Sequence, residues 1–248
     1  MTTAAQSPSR TADDRYVVLP FWLVCDVSGS MSPHIGTLNQ SLRDFRDSLA
    51  MSPVLADKVQ FGVIDFSDNA TEVIPLGDFS SANLEGGQLR SRGGTNYGAA
   101  FTTLRQIIER DLAAGAHLYR YFRPAVFFLT DGQPTDQNWR DAFRDLTYFD
   151  HLSGQGFRSY PLFVPFGIGD ADAATLAQLV HPQDRSVLFM ANTGTTPSTA
   201  INKMTKAMLA SMLASGRSAL TGLPQHVLPT QDELGPDIKA YPGGDFVT

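Results

Sequence analysis

The stretch Pro20-Phe21-Trp22-Leu23-Val24-Cys25-Asp26-Val27-Ser28-Gly29-Ser30 decides how this chain folds. Residues 17–25 are almost continuously apolar, the signature of a strand buried on both faces. The run ends abruptly in a carboxylate and two hydroxyls at alternate positions. Ser32-Pro33 then signals a helix start, with Ser as N-cap and Pro at the first helical position. Leu38, Leu42, Phe45 and Leu49 follow at helical spacing.

The same grammar repeats along the chain. Val59 to Phe66 reads as a second strand and Thr71 to Leu76 as a third. Only residues 67–70 join them, too few for a crossover helix, so the pair is expected to be an antiparallel hairpin. Residues 77–94 read as loop, with Gly86-Gly87 and Gly93-Gly94 as breakers. A helix is expected from Thr95 or Asn96, with Tyr97, Phe101, Leu104, Ile108 and Leu112 on one face. Ala125 to Thr130 forms a fourth strand, and it too ends in an acid, Asp131. Trp139, Phe143 and Leu146 mark a helix, and Tyr160 to Phe166 a fifth strand despite Pro161 and Pro165. A short helix carries Leu176 and Leu179. Ser186 to Met190 is a sixth strand, and Thr196-Pro197 opens a last helix with Ile201, Met204, Met208 and Met212 as core filler.

Strands alternating with helices predict an α/β fold: a doubly wound, Rossmann-like, mostly parallel six-stranded sheet with one antiparallel edge strand and helices on both faces. Residues 1–15 read as a flexible tail, 16–216 as the domain, and 217–248 as a Pro/Gly-rich tail. Doubly wound sheets bind ligands beyond the carboxyl ends of their strands, where strand order reverses. That point is expected between the first and fourth strands, which end in Asp26 and Asp131.

Composition narrows the function. The chain has 248 residues, 42% hydrophobic and 18% charged, with formal net charge −6 from 19 Lys+Arg against 25 Asp+Glu. The largest basic cluster is Arg120-Tyr121-Phe122-Arg123, so no nucleic-acid partner is expected. The single cysteine, Cys25, lies in an apolar run and reads as a small buried hydrophobe. No apolar leader or membrane-length run is seen, so no membrane partner is expected and the expected location is cytoplasmic.

Three segments converge on the expected crevice: Asp26, Ser28 and Ser30; Thr95, within Gly93-Gly94-Thr95-Asn96; and Asp131, within Thr130-Asp131-Gly132-Gln133-Pro134-Thr135-Asp136. All their donors are oxygen. Hard divalent ions such as Mg2+, or Mn2+ and Ca2+, prefer such donors, whereas zinc and copper favour nitrogen and sulfur. Magnesium commonly leaves coordination to water or an outside oxygen ligand, which makes such a crevice a docking point for a partner's Asp or Glu.

This pattern resembles the von Willebrand factor A (VWA) domain and its metal-ion-dependent adhesion site. That motif reads Asp-x-Ser-x-Ser, then a distant Thr, then a distant Asp. Asp26-Val27-Ser28-Gly29-Ser30-Met31, Thr95 and Asp131 supply it in order, and the resemblance spans about 17–215. Arg120-Tyr121-Phe122-Arg123-Pro124 and Asp131-Gly132-Gln133-Pro134-Thr135-Asp136 look like the bacterial tellurite-resistance-type members. That resemblance implies an intracellular scaffold with a kinase- or phosphatase-like partner.

Several residues carry blander readings. Asp65 is expected to be a turn carboxylate one strand away from the crevice. Asp136 is expected to cap the helix carrying Trp139. His34 is a first-turn helix residue. Gly167-Ile168-Gly169-Asp170 lacks the third glycine of a dinucleotide loop. The acids Asp232, Glu233 and Asp237 could occupy the crevice themselves. The expected activity is binding, not catalysis. Two alternatives stay open: a metal-dependent phosphoryl-transfer enzyme, although Ser28 stands where such an enzyme wants a second acid, and a structural domain whose site takes no metal.

Overall fold

The computed structural model describes residues 15–52, 57–84 and 88–243. The expected tail over 1–15 lies, apart from Arg15, outside the described residues. The first strand, β1 (Tyr16–Asp26), leads through a 3-10 turn (Gly29–His34) into α1 (Ile35–Ala50). The hairpin β2 (Val59–Phe66) and β3 (Ala70–Gly77) follows, then α2 (Tyr97–Gly115). Next come β4 (Tyr119–Tyr121), β5 (Ala125–Thr130), α3 (Trp139–Thr147), β6 (Leu162–Gly167), α4 (Ala173–Ala177) and β7 (Val187–Ala191). The long α5 (Pro197–Leu220), the single turn α6 (Gln231–Leu234) and β8 (Ile238–Pro242) close the fold.

The sheet order is β3-β2-β1-β5-β6-β7-β8, with β4 paired to β1. All pairings are parallel except β2–β3 and β7–β8. The chain winds outward from β1 to β3, then restarts at β5 on the other side of β1. Asp26 and the residues after Thr130 therefore share one switch point, as expected.

Alternation divides β1 between two layers. Leu19, Phe21, Leu23 and Cys25 point into a core shared with α1 and α5. Trp22 and Val24 point into a second core shared with α2, α3 and α4. Cys25 is fully buried, and burial pushes its thiol well above the usual range. Met204, Met208 and Met212 fill the first core from α5.

Three expectations need correction. Among the described residues the sheet has eight strands, not six, and both of its edge strands are antiparallel. Strand β4 is only three residues long, too short to show a period, and sits upstream of β5 on the same side of β1. The register steps from Tyr16↔Tyr119 to Phe21↔Ala125, one extra residue on the β5 side, which marks a bulge around Phe122-Arg123-Pro124. The stretch Ile238–Pro242, read as tail, is the edge strand β8, its short alternation hidden between Pro236 and Pro242. Finally, α1 begins at Ile35 rather than Pro33, because Ser32-Pro33 lies inside the preceding 3-10 turn.

Strand β6 tolerates Pro165 for a definite reason. Phe163 exchanges both backbone hydrogen bonds with His181, on the side away from β5. Pro165, two residues on, turns its missing N–H to that same side, where pairing with β7 begins only at Phe166.

The segment after α5 returns across the first core. Ser211 Oγ donates to the Val227 carbonyl, and Val227 N donates to Ser215 Oγ at 2.9 Å. The outward side of β8 is covered by one side chain: Gln231 accepts from Ala240 N (2.9 Å) and donates to the Ile238 carbonyl (2.7 Å). His226 packs edge-on to Phe21 at 5.4 Å, and its Nε2 lies 2.7 Å from the Arg123 carbonyl. That contact needs Nε2 to carry the proton. Burial pushes the His226 pKa down to about 4. The unfolded chain, with an ordinary histidine near ~6.5, therefore binds the proton more tightly. The stability contributed by neutral His226 is complete above pH ~6.5 and is lost as pH falls toward 4, by up to about 3 kcal/mol. Unfolding titrations across this window should show a steeper acid loss for the wild type than for His226→Gln. Parallel curves would sink this assignment.

Candidate metal centre

The pentapeptide leaves β1 at the switch point and turns back on itself. Asp26 is fully buried. Its Oδ1 accepts from Ser28 N at 2.8 Å, and its Oδ2 from Thr130 Oγ1 at 2.6 Å. Ser28 Oγ lies 3.1 Å from Ser30 Oγ, and Ser30 Oγ donates to Asp131 Oδ1 at 2.8 Å. Four of the five expected site residues thus form one chain of contacts across 101 positions of sequence.

Thr95 arrives by a different route. Gly93 takes a φ of +57°, in the left-handed region, and a Cβ there would collide with the Asp68 carboxylate. This bend lets Asp68 accept from Gly94 N at 2.8 Å and lets the Gly93 carbonyl accept from Gly29 N at 3.1 Å. The Thr95 carbonyl accepts from Thr135 N at 2.9 Å, which zips this loop to the one after Asp131. Thr95 is buried, and its Oγ1 faces Gly132: a Cβ built there would lie 3.6 Å away. Thr95 is held in the crevice by its backbone, and its hydroxyl makes no hydrogen bond to the other four residues.

Two acids near the crevice are used otherwise. Asp65 forms a two-pronged ion pair with Arg92, at 2.6 and 2.8 Å, as suits a carboxylate outside the site. Asp136 does not cap α3. Its Oδ1 accepts from Tyr97 N (2.9 Å) and its Oδ2 from Gly98 N (3.2 Å), so it serves the unpaired amides that open α2. A Cβ at position 98 would lie 2.7 Å from that carboxylate and force it to shift, so glycine keeps this pairing intact. Of the three acids named after α5, Glu233 accepts from Thr230 N at 2.7 Å and Asp237 pairs with Lys203, while Asp232 is exposed.

The sequence reading missed three contributors. Thr130, hidden as the last apolar-run residue, holds Asp26. The Tyr97 hydroxyl donates to the Gly132 carbonyl at 2.9 Å, and burial pushes its phenol pKa up. The turn after β6 abuts Asp131, where a Cβ on Gly169 would lie 3.6 Å from the Asp131 Cβ. The Gly167–Asp170 stretch is therefore a rim of this crevice, signalled only by its place after the strand next to β5.

The electrostatics leave a deficit. Burial raises the Asp26 pKa, hydrogen bonds from Ser28 and Thr130 draw it back, and the charge of Asp131 raises it further. Burial likewise raises Asp131, against the Ser30 hydrogen bond and the nearby His34, with Asp170 adding to the rise. Neither carboxylate makes an ion pair among the described residues. No group of three or more His, Cys, Asp or Glu with metal-holding geometry occurs among them either. Two buried carboxylates with no cation, ringed by hydroxyls, fit a divalent ion that would neutralise both.

A family model described as the von Willebrand factor type A domain matches residues 21–133. Over those residues the chain is similar to the VWA family. Solved structures share its fold. Proximal thread matrix protein 1 from the mussel byssus is 19% identical with a TM-score of 0.54, over 80% of this chain and 48% of that one. A von Willebrand factor type A protein from Catenulispora acidiphila is 14% identical with a TM-score of 0.51, over 80% of this chain and 43% of that one. The open form of the pilus adhesin SpaC from Lactobacillus rhamnosus GG is 17% identical with a TM-score of 0.56, over 82% of this chain and 30% of that one. The chain spans about half or less of the length of these neighbours. No curated protein matches the chain in sequence. The byssus protein is also known with a zinc-occupied MIDAS motif, so the argument against zinc from donor type does not carry over to that neighbour. No helix among the described residues is long and apolar enough to cross a membrane.

Proposed function

We propose that the VWA domain is a divalent-cation-dependent protein-binding module. In this reading Asp26, Ser28, Ser30, Thr95 and Asp131 hold the cation, Mg2+ first and Mn2+ or Ca2+ as substitutes. The observation that carries it is the pair of buried carboxylates joined through Ser28 and Ser30, neither of which makes an ion pair among the described residues. Ser30 is exposed while Asp26 is fully buried, so a bound ion would keep its open side toward solvent. A carboxylate from a partner protein completes the shell there. Both oxygens of Asp26 already accept hydrogen bonds, which suits a positioning ligand and not a nucleophile.

The finer setting rests on sequence alone. Arg120–Pro124 and Asp131–Asp136 support a tellurite-resistance-type, intracellular context with a kinase- or phosphatase-like partner. The neighbours by fold, a byssus matrix protein and a pilus adhesin, carry titles from other settings.

The test is capture of partners by the immobilised chain with Mg2+, with Mn2+, with Zn2+ and with excess chelator. The expected result is a partner retained with Mg2+ and released by chelator. Retention unchanged in chelator would overturn the reading.

A further inference from the structure

The end of the sheet opposite the cation site holds clefts that the metal reading leaves unused. A cleft of about 560 Å³ opens where β5, β6 and β7 begin, and an adjoining one of about 530 Å³ shares Phe122, Arg123 and Arg185 as its wall. The six residues of β5 separate this end from Asp131 by roughly 20 Å. The volume suits a small ligand.

Its charge runs against that of the whole chain. The protein carries a net −6. Here Arg123, Arg158 and Arg185 line the joined clefts, and among the described residues the one acid lining them is Asp184. Arg123 and Arg158 make no ion pair among the described residues. Arg185 reaches only its chain neighbour Asp184, at 3.4 Å, and both side chains are largely exposed. Arg123 is the fixed member. Its guanidinium lies 3.7 Å over the Tyr160 ring, its Nη1 donates to the Tyr160 carbonyl at 2.8 Å, and its own carbonyl is gripped by His226. Burial, with the nearby charge of Arg185, pulls its pKa down. A guanidinium is thus held rigid, half-buried and unpaired beside another.

The geometry points to this cleft as a binding site for a phosphate monoester group, gripped by Arg123, Arg158 and Arg185. Three arginines against one aspartate leave an excess of two positive charges. A phosphate monoester carries about −1.5 to −2 near pH 7, whereas a lone carboxylate would leave half the excess unbalanced. Arginine's planar fork is suited to phosphate oxygens, and a stacked, pre-ordered one loses less entropy on binding. The same group could arrive on a small metabolite or on a phosphorylated side chain.

The test is calorimetric titration of the full chain with inorganic phosphate, a sugar phosphate and a phosphoserine peptide. Chelator is present throughout, and chloride controls match the ionic strength. Saturable binding of at least one probe is expected, weakened at least tenfold in the R158A/R185A double variant. Both positions are solvent-exposed, so that variant should keep the wild-type melting temperature. Tighter binding of the sugar phosphate assigns the site to a small molecule, and tighter binding of the peptide assigns it to a modified protein. Asp26→Asn should leave phosphate binding unchanged, which separates this site from the metal reading. Absence of saturable heat beyond the chloride control, or equal binding by the double variant, would overturn the proposal.

Discussion

Asp131→Ala is expected to weaken divalent-cation binding by more than ~100-fold, beyond the range of losing an outer-shell partner. Asp131 is one of the two buried carboxylates in the proposed ligand set, and Ser30 Oγ is oriented by donating to it. Its loss removes half of the charge of that ligand set and releases the hydroxyl that links the two halves of the site. The same change should not unfold the protein. In chelator the buried Asp26 and Asp131 are unbalanced charges whose pKa values burial has raised. Removing one such charge relieves desolvation, so the melting temperature in chelator should stay level or rise. Asp26→Asn is the stricter companion. Its amide oxygen can still accept from Ser28 N, and Thr130 Oγ1 can reverse its role and accept from the new N–H. Calorimetry with Mg2+ and Mn2+, paired with melts in chelator, gives both readouts. Cation affinity within tenfold of the wild type in both variants would remove the metal centre as proposed.

The largest loss of stability is expected from Phe128→Ala. Phe128 is fully buried at the middle of β5, with ring centroids 5.1 Å from Phe66, 5.0 Å from Tyr97, and 5.5 Å from Phe101 and Phe163. Four packed rings cannot collapse into the space of a lost fifth, so the cost should reach about 3–5 kcal/mol. At about 2–4 °C per kcal/mol for a domain of this size, the melting temperature falls by roughly 6–20 °C. The site should feel it too. Tyr97 loses its edge contact, and its hydroxyl is the tie to the Gly132 carbonyl beside Asp131. Phe128→Leu, which keeps most of the volume, should recover most of both effects. A loss below ~1 kcal/mol for the alanine variant would show that this layer is not close-packed.

The central fold was legible because its strands are apolar on both faces. Leu19 to Cys25 and Ala125 to Leu129 read as central strands covered on both faces, and their ends mark the switch point. Asp26, Ser28, Ser30 and Asp131 follow directly from those ends. What stayed hidden has a common cause. Thr130 and Tyr97 sit inside apolar patterns, where a hydroxyl adds nothing to periodicity. The partner of Asp136 is the start of α2, a pairing between distant segments that local capping rules cannot reach. Strand β8 is five residues long, and its place is set by β7 and by Gln231, not by its own alternation.

That use of Gln231 has a consequence for self-association. An open sheet edge offers a row of donors and acceptors to any passing strand, including one from a second copy. On β8 the amide of Gln231 already occupies the Ala240 N–H and the Ile238 carbonyl, so a docking strand would have to displace it. Pro242 removes one further donor from this rim, and the exposed Lys239 adds a charge. On the other rim, Pro75 interrupts β3. Both borders of the sheet thus carry features that oppose templated strand addition, so a second copy of this chain gains little by pairing along either edge.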